Sequence, residues 1–285
     1  TWRAQRAAYT QSDMPEPTKT IHALLVGVNE YKRDPNNAIP KDLGGCTNDV
    51  NSMSRILQNY ANERLIHTTS LINAEASYSA VIAAFRQYLH KAKPGDTALF
   101  YYSGHGAREK CVSEEFKRYF HSDYAEVLVC HDGGSNGGKT LADKELAVLI
   151  SQIPEGVHVV VILDSCHSGS ATRFSGTERT TLIDKERSLE DYLDGFYSDQ
   201  LANEGRIELP HREHILLAAA DRIQTAKEDQ YGGQTTGAFT YFLEKALKAD
   251  LTNDSYYHIM GHVRDLFRVN HVRQTPQIEP IGKTS

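Results

Sequence analysis

Short apolar runs of strand length, each followed by a segment of helical periodicity, restrict this chain more than any other feature. Residues 157–163, Val-His-Val-Val-Val-Ile-Leu, form the strongest run, and residues 21–28, Ile-His-Ala-Leu-Leu-Val-Gly-Val, form the first. A half-exposed strand alternates apolar and polar residues, whereas a near-continuous apolar run has to be covered on both faces. After the first run, Val50, Met53, Ile56 and Leu57 recur at helical spacing in 49–60, with Thr47 or Asn48 as the expected cap. Residues 65–72 read as a second strand. Val81, Ile82, Phe85 and Leu89 then share one face of a helix over 77–92, stopped by Pro94-Gly95. The rhythm continues with a strand at 97–102, a helix at 143–153, the strand 157–163, a strand at 214–220, and amphipathic helices at 237–247 and 256–269. Such alternation predicts an α/β three-layer sandwich, a mostly parallel central sheet with helices on both faces. Residues 107–140, rich in Gly and charge, and 169–212, with no strong periodicity, break the rhythm. Long connections of this kind in compact domains are usually functional.

Composition narrows the function classes. With 285 residues and a net charge of -6 the chain fits one elaborated domain. We read 1–20 as an N-terminal extension and 21–285 as a single domain, divided into 21–168, a linker at 169–212 and 213–285. The mild acidity leaves no basic face able to neutralise many phosphates, so no nucleic-acid partner is expected. No apolar run approaches the roughly 18 to 20 residues of a membrane-spanning helix, so no membrane partner is expected either. Cys46, Cys111, Cys130 and Cys166 form no Cys-x-x-Cys pair and no dense disulfide framework, which points to free thiols and a cytoplasmic location.

Sites in open parallel sheets form beyond the carboxyl ends of the strands. The strand at 97–102 exits into Ser103-Gly104-His105-Gly106, and the strand at 157–163 exits into Asp164-Ser165-Cys166-His167-Ser168-Gly169. A thiol needs a neighbouring base to become a good nucleophile, and the same imidazole can later protonate a leaving amine. His105 and Cys166 supply that pair. His167 is the competing base, but side chains adjacent along a strand point to opposite sides, which favours His105. Two carboxylates near such a thiol would attract Arg or Lys and repel an acidic side chain. Asp221 is a third acidic candidate, with a turn-forming role equally open to it.

These blocks resemble the His and Cys blocks of the metacaspases and their bacterial caspase-like relatives. The resemblance extends in order through Ala23 to Tyr31, Leu43-Gly44-Gly45-Cys46-Thr47-Asn48-Asp49-Val50, Lys93-Pro94-Gly95-Asp96, residues 218–228, Gly237-Ala238-Phe239-Thr240 and Gln274-Thr275-Pro276-Gln277. It implies a caspase-like fold and a cysteine endopeptidase with His105 and Cys166 as the dyad. It also implies an oxyanion hole built from the amides of Gly106 and Cys166, and an S1 pocket walled by Cys46, Asp49, Ser103 and Asp164. The expected substrate is a protein or peptide with Arg or Lys at P1, and a regulatory or activating protein is a conceivable partner. A catalytically silent interaction module on the same fold is the alternative. A nucleotide-binding enzyme is disfavoured because the first strand exits without a glycine-rich phosphate loop.

Metacaspases commonly use calcium, but no cofactor is expected to be required here. Ala142-Asp143 stands where a doubled Asp is usual and Arg173 where an acid is expected. Asp123, Glu126, Asp132 and Asp143 do not form a spacing suited to the roughly six to eight oxygens that calcium takes. Arg173, Arg179, Lys185, Arg187, Arg206 and Arg212 all lie in the linker, so an enzyme preferring basic residues would carry its own cleavage sites there.

Overall fold

A computed structural model describes residues 19–34, 40–59, 64–135, 138–166, 177–179, 186–221, 224–249 and 255–280. Its central sheet contains β1 (Ile21–Gly27), β2 (Ile66–Ile72), β3 (Thr97–Ser103), β7 (His158–Asp164), β10 (Ile215–Ala218) and β13 (Gln277–Glu279), in the order β13-β10-β7-β3-β1-β2. All neighbours run parallel except β13, which closes one edge antiparallel to β10.

The apolar runs become strands buried on both faces because successive side chains serve different cores. Leu24, Val26, Phe100, Tyr102, Val159 and Val161 join the core under α2 (Tyr78–Tyr88) and α4 (Asp143–Ser151). Ala23, Leu25, Leu99, Tyr101, Val160 and Ile162 join the opposite core under α1 (Cys46–Asn59), α6 (Ala238–Lys248) and α7 (Tyr256–Val269). Each fully buried Leu, Ile, Val or Phe contributes about 1.5–3 kcal/mol relative to an exposed one. The result is a caspase-like α/β sandwich. Ser77 caps α2 and Ser255 caps α7, each accepting from a backbone N–H in the first turn.

The first helix departs from expectation. It begins at Cys46, so Thr47 and Asn48 lie within its first turn rather than before it. Its N-terminal amides are met from afar: Cys46 N donates to Asn29 Oδ1 (2.7 Å), and Gly44 N and Gly45 N donate to Glu228 (2.8 and 3.0 Å).

Residues 107–140 are also more regular than their sequence suggests. They hold most of β4 (Gly106–Cys111), all of α3 (Glu114–Phe120) and all of β5 (Tyr124–Leu128). β4, β5, β6 (Leu141–Ala142) and β9 (Glu186–Arg187) form a second sheet ordered β6-β5-β4-β9. The period of two in β4 is disguised because Glu109 takes an inward position. It is buried against Arg187 (3.3 Å), which also pairs with Glu145 (2.5 Å) and covers the Tyr192 ring at 4.3 Å. A third sheet joins β8 (Thr177–Glu178), β11 (Lys227–Tyr231) and β12 (Gln234–Gly237), and α5 (Phe196–Glu204) follows β9 in the linker.

Candidate active site

Strand register brings the two motifs together. β3 and β7 are neighbours, and Ser103 is paired with Asp164 at their carboxyl ends. His105 and Cys166 each lie two residues beyond that pair. Their side chains are buried among the strand exits.

His105 is held at several atoms. Its backbone N donates to Tyr31 Oη (2.8 Å), and its carbonyl oxygen accepts from Tyr102 Oη and Val129 N (both 2.9 Å). Nε2 lies 2.7 Å from the Lys41 carbonyl oxygen, which can only accept, so the hydrogen-bond network assigns the proton to Nε2. Nδ1 is buried without a hydrogen-bond partner and keeps its lone pair. Burial lowers the imidazole pKa, which favours this neutral form.

Cys166 Sγ accepts from Ala226 N (2.6 Å) and faces the Ala226 carbonyl oxygen at 3.3 Å. Burial pushes the thiol up to about 12, against the lowering influence of these backbone contacts and of Arg179. The resting sulfur is therefore a shielded thiol rather than a thiolate. Gly106 sits so close that a methyl group on its Cα would overlap the Cys166 carbonyl oxygen.

Beside this pair is a pocket filled by the chain's own Arg179, whose side chain is 0% exposed. Nη1 reaches Ser103 Oγ (2.8 Å), the Asp164 carbonyl oxygen (3.1 Å) and Asp164 Oδ1 (3.1 Å). Nη2 reaches Asp49 Oδ2 (2.6 Å) and Glu228 Oε2 (3.3 Å). The carboxylates are themselves fixed. Asp49 accepts from Gly237 N (2.9 Å) and Ser103 Oγ (2.8 Å), while Asp164 accepts from Thr240 N (3.0 Å) and Thr240 Oγ1 (2.7 Å). Burial raises the Asp49 carboxyl to about 6 even with the guanidinium beside it, and raises the Cys46 thiol to about 12. A methyl at Gly237 would run into Asp164 and Arg179, so the pocket requires glycine there.

The backbone of the same segment is docked as well. β8 pairs antiparallel with β11, with Thr177 opposite Glu228 and Glu178 opposite Lys227. Arg179 N donates to the Ala226 carbonyl oxygen (3.0 Å). The Arg179 carbonyl oxygen accepts from Gly106 N (3.0 Å) and Cys166 N (3.4 Å). Two amides thus converge on one carbonyl next to the Cys166 sulfur, an arrangement able to stabilise an oxyanion.

Of the residues singled out from the sequence, His105, Gly106, Cys166, Cys46, Asp49, Ser103 and Asp164 meet here. Asp221 does not belong to the pocket; its carbonyl accepts from Gln224 N in a turn. Glu228 holds the third acidic position, which periodicity could not reveal because its partners lie far away in the chain. Lys41, which acts through its carbonyl, carries no side-chain signal at all. His167 lies outside the described residues.

Of the calcium candidates, Glu126 and Asp143 are neighbours across the β5–β6 pairing, and all four have other described partners. Asp132 caps α2 by accepting from Tyr78 N (2.9 Å), Asp143 pairs with Lys144 (2.5 Å), Glu126 with Arg108 (3.7 Å) and Asp123 with Lys117 (3.9 Å). Among the described residues no group of three His, Cys, Asp or Glu side chains is placed to hold a metal ion.

A caspase-like sandwich with a cysteine and a histidine at the ends of neighbouring strands defines a class of cysteine peptidases. Residues 21–175 match the metacaspase, peptidase C14 domain, and the chain belongs to that family. It is 27% identical to Metacaspase-1 of Scheffersomyces stipitis, over 90% of this chain and 69% of that protein. It is 26% identical to Metacaspase-1 of Pyricularia oryzae, over 90% of this chain and 70% of that one. Among solved structures it is similar to protein GSU0716 from Geobacter sulfurreducens, with a TM-score of 0.65 and 26% identity over 91% of this chain and 92% of that one. The chain is accordingly a cysteine-type endopeptidase, a hydrolase acting on protein or peptide substrates. No helix among the described residues is long and apolar enough to cross a membrane.

Proposed function

We propose that the protein cleaves peptide bonds after Arg or Lys with a Cys166/His105 dyad, and that its first substrate is its own Arg179–Thr180 bond. One observation carries the reading: Arg179 fills the acidic pocket while its carbonyl oxygen accepts from the amides of Gly106 and Cys166. Those are the contacts a P1 residue needs for attack.

In the reaction the Cys166 thiol gives its proton to His105 Nδ1 as sulfur attacks the Arg179 carbonyl carbon. Charge develops on the carbonyl oxygen, where the Gly106 and Cys166 amides donate. The imidazolium, steadied by its Nε2–H to Lys41, protonates the departing amine of Thr180 as the C–N bond breaks. Water, deprotonated by the same imidazole, attacks the thioester, releasing the Arg179 carboxylate and restoring the thiol. A substrate supplied from outside would follow the same course once the pocket is vacated, pairing with the β11 edge as residues 177–179 do. A chain with Asp at P1 would confront Asp49, Asp164 and Glu228 and be rejected.

The test is intact mass and N-terminal sequencing of full-length protein after incubation, beside Cys166→Ala. A cut after Arg179 in the wild type alone is expected, together with hydrolysis of Arg-ended peptides by Arg179→Ala. Identical cuts in Cys166→Ala, or preferred hydrolysis after Asp, would overturn the reading.

A further inference from the structure

We infer that cutting the Arg179–Thr180 bond does not by itself open the site: the new C-terminal Arg179 stays in the pocket as a tethered product inhibitor. The inference rests on the function proposed above and concerns its regulation.

Among the described residues, the contacts that hold Arg179 come from Asp49, Ser103, Gly106, Asp164, Cys166, Ala226 and Glu228, none of them in the segment that directly follows the cut. The guanidinium is bound by Asp49, Asp164, Glu228 and Ser103, the backbone N by Ala226, and the carbonyl oxygen by Gly106 and Cys166. Hydrolysis leaves every one of these partners in place. It replaces a neutral carbonyl by a carboxylate, which accepts more strongly from the same two amides. Release would expose three buried carboxylates without their cation, so the pocket favours the occupant.

Both halves of the cut chain are also retained. Upstream, 12 residues join Arg179 to Cys166, two residues beyond β7. A tether of that length keeps a detached end at an effective concentration on the order of millimolar. Downstream, Arg187 is seated between Glu109 and Glu145 on the second sheet, so the segment that follows the cut keeps its own anchor. Removal of the terminal arginine, rather than the cut, is then the activating event.

The experiment lets full-length wild type process to completion, with mass confirming the new end at Arg179. It then measures hydrolysis of a Thr-Glu-Arg fluorogenic amide and the rate of iodoacetamide labelling at Cys166. Carboxypeptidase B, which strips C-terminal Arg or Lys, is added and both rates are measured again, with Arg179→Ala as the unplugged reference. Before treatment both rates should be at least tenfold below the reference. They should rise toward it as the upstream chain loses one arginine, and the reference should not respond. An arginine that resists removal while both rates stay low is the same result in its extreme form. Processed wild type already matching Arg179→Ala, or loss of the arginine without a change in either rate, overturns the inference. An uncut wild type beside an active Arg179→Ala also ends it while leaving the peptidase reading intact. Silence of both proteins on every Arg and Lys peptide ends that reading first, and this one with it.

Discussion

Asp49→Asn is the perturbation that tests the pocket most sharply. Both Asp49 oxygens accept: Oδ1 from Gly237 N, and Oδ2 from Ser103 Oγ and an arginine Nη2. An asparagine keeps the shape but has to turn its NH2 group onto one of those donors, so it cannot satisfy both ends at once. Removing one partner of a buried, hydrogen-bonded charge pair costs about 2–5 kcal/mol, and each 1.4 kcal/mol is about tenfold. For Arg substrates kcat/KM should therefore fall by roughly thirtyfold to a few thousandfold, taking the same conversion. The comparison belongs in the Arg179→Ala background, where the pocket is free, with matched fluorogenic peptides ending in Arg and in norleucine. Norleucine makes no demand on the carboxylate, so its kcat/KM should change little. Equal losses on both peptides would show that Asp49 supports the fold or the dyad rather than the charged side chain, and the pocket argument would fail.

Gly106→Ala should abolish turnover, since its methyl would overlap the Cys166 carbonyl oxygen and displace one of the two amides facing the attacked carbonyl; burst kinetics on an Arg peptide would reveal any surviving acylation. Arg187→Met leaves Glu109 and Glu145 buried without their cation and should destabilise by about 3–5 kcal/mol, read from urea unfolding. In Arg179→Ala, kcat for an Arg peptide, which reports the occupied pocket, should drop as pH falls through about 6, where Asp49 takes up its proton, and Asp49→Asn should remove that limb. Because the folded Asp49 pKa lies above its unfolded value, the group's contribution to stability is full below about pH 4 and is lost as pH rises through about 6. Wild-type stability should therefore decline over that interval more steeply than that of Asp49→Asn.

The order of strands and helices was legible in the linear sequence because burial on both faces demands near-continuous apolar runs and helices demand a period near 3.6. The meeting of His105 and Cys166 was legible for a related reason: glycine-flanked His105 and the polar cluster around Cys166 follow two such runs directly, where a parallel sheet collects its loops. Glu109 marks where this legibility stops. Its inward position reads as a break in a strand pattern until Arg187, 78 residues away, is seen to neutralise it. Glu228 is similar, being bonded to the amides of Gly44 and Gly45 across 184 and 183 residues, a distance no local pattern spans.

The identity of the residue in the pocket was decided by tertiary structure alone. Arg173, Arg179, Lys185 and Arg187 look alike in a weakly periodic linker, and composition cannot rank them. Arg179 is chosen because two residues before it pair with the β11 edge, setting the register that brings its carbonyl to the Gly106 and Cys166 amides. Arg187, eight residues on, is chosen by a different set of acids for a different task. Residue type determined that an arginine could be bound; only backbone pairing between distant segments determined which one.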